Sequence, residues 1–531
     1  MIIIQFPHAP LYRKGAPMIM MLGRGDILSR NTLSVHHTFC TMKIFVPQHL
    51  IYSCSLSSEK KKRKKERKHW RKVMEKEQRG ASKTHVLLVP FPLQGHINPM
   101  IQLSKRLASK RLKITLVSTS SARISMEGRE ADSPVEVNFI SDGYQEGKAE
   151  TMDEALERIE TETSLSLAKL IEDLKTTEYP AKFLIYDSIM PWMMNVALAQ
   201  GLEGAPFFTQ SCAATAIYAH VHQGTLKLPL PLEETQVMLP GMPELRSNDL
   251  PSLVYDPCSY PALHKLLLGQ LLNLHKASFL LWNTFDGLED EVVSWMARQW
   301  PIKPVGPTIP SIYLDKRLED DIDYGLNLFK SNSDACLKWL DSKGIGSVVY
   351  VSFGSLATVG AEQMEEVAWG LKNSNINFLW VVRESEVKKL PTSFLEEITE
   401  RGLVVSWSPQ LQVLAHKSVG CFVTHCGWNS VLEALSLGVP MVAMPYWVDQ
   451  PTNAKFVKDV WQVGVRVQVN EKGLVEKEEI ARCIKEVMEG ERRLEMKRNS
   501  ERLKEMAREA VDKGGSSDKN IEEFVRKLIH N

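Results

Sequence analysis

Thr84-His85-Val86-Leu87-Leu88-Val89-Pro90, followed by Phe91-Pro92-Leu93-Gln94-Gly95-His96-Ile97-Asn98-Pro99 and then by Lys113-Ile114-Thr115-Leu116-Val117-Ser118, is the stretch that decides the fold. The first run is short, aliphatic and β-branched, as in a strand buried on both faces. Asn98 with Pro99 behind it reads as a helix start, since asparagine caps free N–H groups and proline is tolerated in a first turn. Met100, Leu103 and Leu107 then fall on one face of a 3.6-residue repeat. A second aliphatic run closes the unit. Strand, helix and strand in this order form a crossover, which implies parallel strands.

The pattern recurs along the chain. Residues 182–186 form a strand signal ending at Asp187, and residues 277–282 form another. A second series follows at 347–352, 377–382, 402–406, 421–424 and 439–443, with helical stretches such as 362–372 and 430–437 between them. After Glu476 the chain reads as helical, interrupted at Gly514-Gly515-Ser516-Ser517. The expected fold is α/β, two Rossmann-like doubly wound sheets facing one another across a cleft. The expected boundaries are 83–307 for the first domain, 308–334 for a linker, 335–510 for the second domain, and 511–531 for a helix packing back toward the first. Residues 308–334 hold Pro310 and many charges without apolar periodicity. Within them Asp321-Ile322-Asp323 looks like a metal-binding DxD, but no strand precedes it, so it reads as solvated charge.

Composition narrows the class. The chain has 531 residues, 44% of them hydrophobic, enough for more than one packed core. No apolar run approaches the roughly 18 residues of a membrane span, and no secretory signal is evident. The eight cysteines form no CxxC pair and are scattered, which suits reduced cytosolic thiols rather than disulfides or zinc. Residues 1–73 carry 15 Lys/Arg against 3 Asp/Glu, a net of +12 in a chain of net +1, so the remainder carries −11. Residues 1–82 are expected to be a disordered basic extension, dispensable, with Met74 as the working start.

In open α/β sheets, ligands bind beyond the carboxyl ends of the strands. Polar residues fall there repeatedly: His96 after the first strand, Asp187 at the end of another, Ser355, Trp407, His425, and finally Asp449 with Gln450. His425-Cys426-Gly427-Trp428-Asn429-Ser430 lies between a strand and a helix. Glycine permits close backbone approach there, and a helix start offers N–H groups to a diphosphate, to which a cationic or hydrogen-bonding His425 would add. Ser430-Val431-Leu432-Glu433 also reads as a capping box, a purely structural role for Glu433 as plausible as ligand contact.

The 44 residues from Trp407-Ser408-Pro409-Gln410 through His425-Cys426-Gly427-Trp428-Asn429-Ser430 to Asp449-Gln450 resemble the signature box of plant secondary-product UDP-glycosyltransferases. The resemblance extends over about residues 83–531. It includes Pro92-Leu93-Gln94-Gly95-His96, Tyr186-Asp187-Ser188, Asn283-Thr284-Phe285-Asp286-Gly287-Leu288-Glu289 and Ser352-Phe353-Gly354-Ser355. It implies the GT-B fold and a set of roles. Trp407 would stack on uracil and Gln410 would meet the base edge. Glu433 would accept the ribose hydroxyls. His425, Asn429, Ser430 and Ser355 would hold the diphosphate. Trp428, Asp449, Gln450 and Thr209 would contact the sugar, a terminal Gln450 resembling glucose users.

The implied reaction moves glucose from UDP-glucose to a hydroxyl or carboxyl of a small phenolic, carboxylic or terpenoid acceptor, with inversion. His96 would be the general base and Asp187 would fix its tautomer. No cofactor and no metal are expected. The expected protein is a cytoplasmic monomer without nucleic-acid partner or membrane insertion. Three other readings stand beside this one. They are a transferase of another nucleotide sugar, a noncatalytic UDP-sugar sensor, and a nucleic-acid binder working through the basic extension. His96 with Asp187 weighs against the sensor, and the acidic body against the nucleic-acid binder.

Overall fold

The aliphatic run that opens the ordered chain becomes β1 (His85–Val89), in which every residue is buried. Val86 and Leu88 point into one apolar layer and Leu87 and Val89 into the other, as the two-residue period of a strand requires. The computed structural model describes residues 84–123, 135–230, 236–325, 333–355, 359–398 and 400–530. The basic extension and Met74 lie outside them.

β2 (Lys113–Thr119), β3 (Glu136–Ile140), β4 (Ala181–Asp187) and β5 (Glu203–Phe208) join β1. β6 (Gln236–Val237) and β7 (Leu245–Arg246) form a small antiparallel ribbon. β8 (Leu280–Trp282) and β9 (Ile302–Pro304) complete a seven-stranded sheet of order β3-β2-β1-β4-β5-β8-β9, parallel throughout. The second sheet is built from β10 (Val348–Ser352), β11 (Asn377–Val381), β12 (Gly402–Val405), β13 (Val419–Thr424), β14 (Met441–Ala443) and β15 (Gly464–Arg466). Its order is β12-β11-β10-β13-β14-β15, also parallel. Both are Rossmann-like. Each order reverses once, at β1/β4 and at β10/β13.

Six helices matter here: α1 (Gln94–Ala108), α2 (Met152–Leu174), α3 (Cys212–His222), α4 (Pro261–Gly269), α5 (Trp428–Leu437) and α6 (Ser516–His530). α6 lies on the first sheet, where Phe524 makes edge-to-face contacts with Phe183 and Phe279. Among the described residues, no helix is long and apolar enough to cross a membrane. Of the six described cysteines, all but Cys258 are buried and none is bonded.

The structure corrects several expectations. α1 begins at Gln94, not at Asn98, and Pro99 lies inside it. Proline has no N–H and crowds the carbonyl four residues back, here that of Gly95. β3, β5, β9 and β15 carried no clear strand signal. Gly204 and Pro206 interrupt β5, and β9 and β15 are too short to show a period. Asp321 is not solvated: it is buried, and its Oδ1 pairs with Lys105 Nζ at 2.6 Å.

Candidate active site

The two strand-order reversals create the site. β1 and β4 are neighbours, with Val89 paired to Tyr186, so the loop after β1 and the last residue of β4 must lie side by side. That places His96, in the first turn of α1, against Asp187. His96 Nδ1 lies 2.7 Å from Asp187 Oδ2, and Asp187 is fully buried. Asp187 is further held by the backbone N–H of Ile189, which donates to Oδ1 at 3.2 Å. β5 pairs with β4 at Asp187–Phe207, which brings Thr209 alongside, its hydroxyl 3.0 Å from the same Nδ1. With Nδ1 engaged on its inner side, Nε2 is the nitrogen left for a ligand. Burial alone would lower the His96 pKa. The charge and hydrogen bond of Asp187, aided by the charge of Asp449, outweigh it and hold the pKa above the ordinary value.

The same logic runs in the second sheet. β10 and β13 are neighbours, with Ser352 paired to Thr424, so the Ser355 loop meets His425. The His425 ring is wedged between two glycines. A Cβ on Gly354, whose φ is +76°, would stand 2.8 Å from the ring, and one on Gly427 would stand 2.6 Å from Nε2. Burial pushes the His425 pKa down to about 4. Of the two roles expected for His425, cationic or hydrogen-bonding, this favours the hydrogen-bonding one. Ser355 contributes its carbonyl to Arg383, which donates at 2.7 Å.

α5 starts at Trp428 with Gly427 as its cap. Ser430 and Glu433 therefore sit inside the helix, and the expected capping box does not form. Instead Gln410 Nε2 donates to Ser430 Oγ at 3.1 Å and to Glu433 Oε2 at 2.7 Å, while Gln410 Oε1 accepts from Tyr350. Burial pushes Glu433 up to about 6 against the bonds from Gln410 and Tyr324. Asn429 Nδ2 donates across the cleft to the Gly95 carbonyl. The Trp428 indole N–H is committed to the Asn283 carbonyl at 2.7 Å. Asp449, pushed up to about 6 by burial, accepts from Asn453 Nδ2 at 2.8 Å. Gln450 Oε1 accepts from the N–H groups of Tyr446 and Trp447, so its NH2 is the end presented to a ligand.

One cleft of about 440 Å³ gathers all of these groups: His96, Asp187, Thr209, Ser355, Trp407, Gln410, His425, Trp428, Asn429, Ser430, Glu433, Asp449 and Gln450 all line it. His96 and Asp449 are close enough for each charge to act on the other. Trp407, Gln410 and Glu433 belong to the same lining. Aliphatic lining comes from Met152, Leu156 and Ile159 of α2 and from Leu263 and Leu267 of α4. The sequence reading missed three groups here: Tyr313 and Tyr324 from the segment between the sheets, and Arg383 after β11. It also missed Asn453. Asn453 stands one helical turn beyond Asp449, a spacing that could have signalled it. Among the described residues, no group of three or more His, Cys, Asp or Glu is arranged to hold a metal ion.

Known proteins resemble this chain over most of its length. Residues 320–510 match the family described as UDP-glucoronosyl and UDP-glucosyl transferase, and residues 82–141 match a glycosyltransferase N-terminal domain. Mogroside I-E synthase of Siraitia grosvenorii is 54% identical over 449 residues, covering 84% of this chain and 98% of the relative. UDP-glycosyltransferase 74E2 of Arabidopsis thaliana is 52% identical over 446 residues, covering 83% and 98%. The crystal structure of Os79 from O. sativa in complex with UDP superposes with a TM-score of 0.78 at 41% identity, covering 83% of this chain and 100% of Os79. A second Os79 structure contains U2F and trichothecene. A likeness of this extent runs through both sheets and the cleft between them, and the chain belongs to the plant UDP-glycosyltransferase family, glycosyltransferases of GT-B fold.

Proposed function

We propose that this enzyme is an inverting glucosyltransferase that carries glucose from UDP-glucose to a hydroxyl or carboxyl of a small apolar acceptor. The observation that carries the reading is the His96–Asp187 pair, 2.7 Å apart, in a cleft lined by both polar and aliphatic side chains. Asp187 accepts a hydrogen bond from the Nδ1–H, which leaves the Nε2 lone pair for the acceptor O–H. The acceptor oxygen attacks C1 of glucose as the C1–O bond to the diphosphate breaks. UDP leaves with the electron pair, and the acceptor proton passes to His96. Asp187 then steadies the imidazolium.

The N–H groups at the start of α5 and the neutral His425 face the departing phosphate charge, which they can stabilise without a metal. Trp407 stacks on uracil, Gln410 meets its edge, and Glu433 accepts the ribose hydroxyls. Ser355, Asn429 and Ser430 hold the diphosphate. Thr209, Trp428, Asp449 and Gln450 surround the sugar. The aliphatic lining favours acceptors with an extended apolar skeleton, phenolic, terpenoid or carboxylic. Os79, whose structure contains trichothecene, supports a small-molecule acceptor. The protein works as a cytoplasmic monomer, without nucleic acid.

The test offers UDP-glucose and a panel of such acceptors and reads the product by mass and by NMR at the anomeric carbon. A β-glucoside or β-glucose ester is expected. An α-linked product would overturn the single displacement, and faster turnover of UDP-galactose or UDP-xylose would reassign the sugar.

A further inference from the structure

Tyr324 lies between the two sheets, in a stretch that reads in sequence as solvated linker. Its ring is buried, and its phenol donates to Glu433 Oε1 at 2.7 Å. The other oxygen, Oε2, takes the Gln410 amide at the same distance. A carboxylate has about four lone-pair sites, so each oxygen still has room for a ligand hydroxyl after these two bonds. A carboxylate bonded on both oxygens is also held in one rotamer.

The segment is anchored on its other side as well. Asp321 Oδ1 accepts from Lys105 Nζ at 2.6 Å and from Gln102 Nε2 at 3.2 Å, and Oδ2 accepts from the Ser311 N–H at 2.7 Å. The Asp323 carbonyl accepts from Lys105 at 2.7 Å. Lys105 and Gln102 belong to α1, the helix that carries His96. Within four residues the segment therefore grips α1 through Asp321 and Glu433 through Tyr324.

We propose that Tyr324 is a positioning residue for the donor: it fixes the Glu433 carboxylate to receive the ribose hydroxyls and ties that carboxylate to the helix that bears His96. This deepens the reading of Glu433 as the ribose acceptor and rests on it. The ring itself need not touch the ribose.

The test is Tyr324→Phe beside Glu433→Gln, with UDP and 2′-deoxy-UDP titrated calorimetrically into each. Tyr324→Phe keeps the ring and removes one donor. It is expected to weaken UDP about tenfold, the scale of one hydrogen bond to a charged group. It is also expected to narrow the wild-type preference for UDP over 2′-deoxy-UDP, and to raise the donor KM more than the acceptor KM. The preference is a ratio within one sample, so it does not depend on the fraction folded. If Tyr324→Phe keeps both the affinity and the preference while Glu433→Gln loses them, the proposal is overturned and Glu433 remains the ribose acceptor. If Glu433→Gln also keeps both, the reading of Glu433 falls and the proposal falls with it.

Discussion

The side-chain amide of Asn429 donates to the carbonyl of Gly95, a carbonyl that Pro99 leaves without its helical N–H partner. A defect in α1 is thus satisfied from the opposite side of the cleft, one residue before His96. Two substitutions separate this link from direct ligand contact. Asn429→Ala should lower kcat/KM by roughly 2- to 10-fold, the worth of one neutral hydrogen bond. Pro99→Ala touches no ligand and restores an N–H to Gly95 within the helix. It should raise the melting temperature, since proline is costly in a helix interior, yet lower kcat/KM in the same direction as Asn429→Ala. A Pro99→Ala enzyme with wild-type turnover would show that the bond does not matter to catalysis.

Replacing the base tests the chemistry directly. His96→Ala should lower transfer to a phenolic hydroxyl by about 10²- to 10⁴-fold. UDP affinity, measured by calorimetry, should be retained. A carboxylate acceptor arrives already ionised and should lose far less. A variant that glucosylates the phenol at the wild-type rate would remove His96 from the mechanism.

Asp187 sets where the pH profile bends. Neutral imidazole is the working form, so the rate falls as pH drops through the His96 pKa. In the native enzyme that pKa is raised, because Asp187 outweighs burial. Asp187→Asn removes the charge and leaves the effect of burial, which lowers it. The acid limb of kcat should therefore move to lower pH while the plateau falls. An acid limb that stays in place or moves upward would show that another group governs it.

The donor groups should respond in donor affinity. Trp407→Ala and Glu433→Ala should each raise the UDP-glucose KM by at least about tenfold, and the acceptor KM much less. Unchanged UDP affinity in both variants would mean that the nucleoside lies elsewhere.

Chelation gives a further check on how the leaving group is stabilised. Activity should survive EDTA, because the proposed mechanism leaves the departing phosphate to backbone N–H groups at the start of α5 and to His425. Loss of activity on chelation, with rescue by a divalent ion, would require a metal.

The sequence disclosed most where the physics is local. The run at residues 84–90 shows β1 because a strand buried on both faces is apolar without interruption. The stretch from Trp407 to Gln450 was legible through its resemblance to a family signature box; from the residues alone, only the glycine, the histidine and the helix start at 425–430 pointed to a diphosphate. Other features depend on partners far away in the chain. The order of α1 could not be read from Asn98-Pro99, because the bond that offsets Pro99 comes from Asn429. Asp321 looked solvated because its cation, Lys105, is 216 positions away. β5 was hidden by Gly204 and Pro206; the proline is tolerated because β8 pairs with β5 only beyond it, at Phe207 and Phe208. Glu433 fitted a capping box equally well, and only the observed start of α5 at Trp428 separates the two roles.

The last helix carries a consequence for how the protein is made. The Thr84 hydroxyl bonds the Leu528 carbonyl, 444 positions later, and Ile521, Phe524, Val525 and Leu528 fill the same apolar layer as Val86, Leu88 and Phe183. On a ribosome the first sheet therefore emerges early and waits for its cover until α6 has been made. In that interval the face meant for α6 is bare and sticky, a demand on chaperones that a simple two-bead protein would not make. The same wiring decides what a nick near the carboxyl terminus would harm. It would strip one face of the sheet that bears Asp187 and spare the second sheet, none of whose residues belongs to that layer.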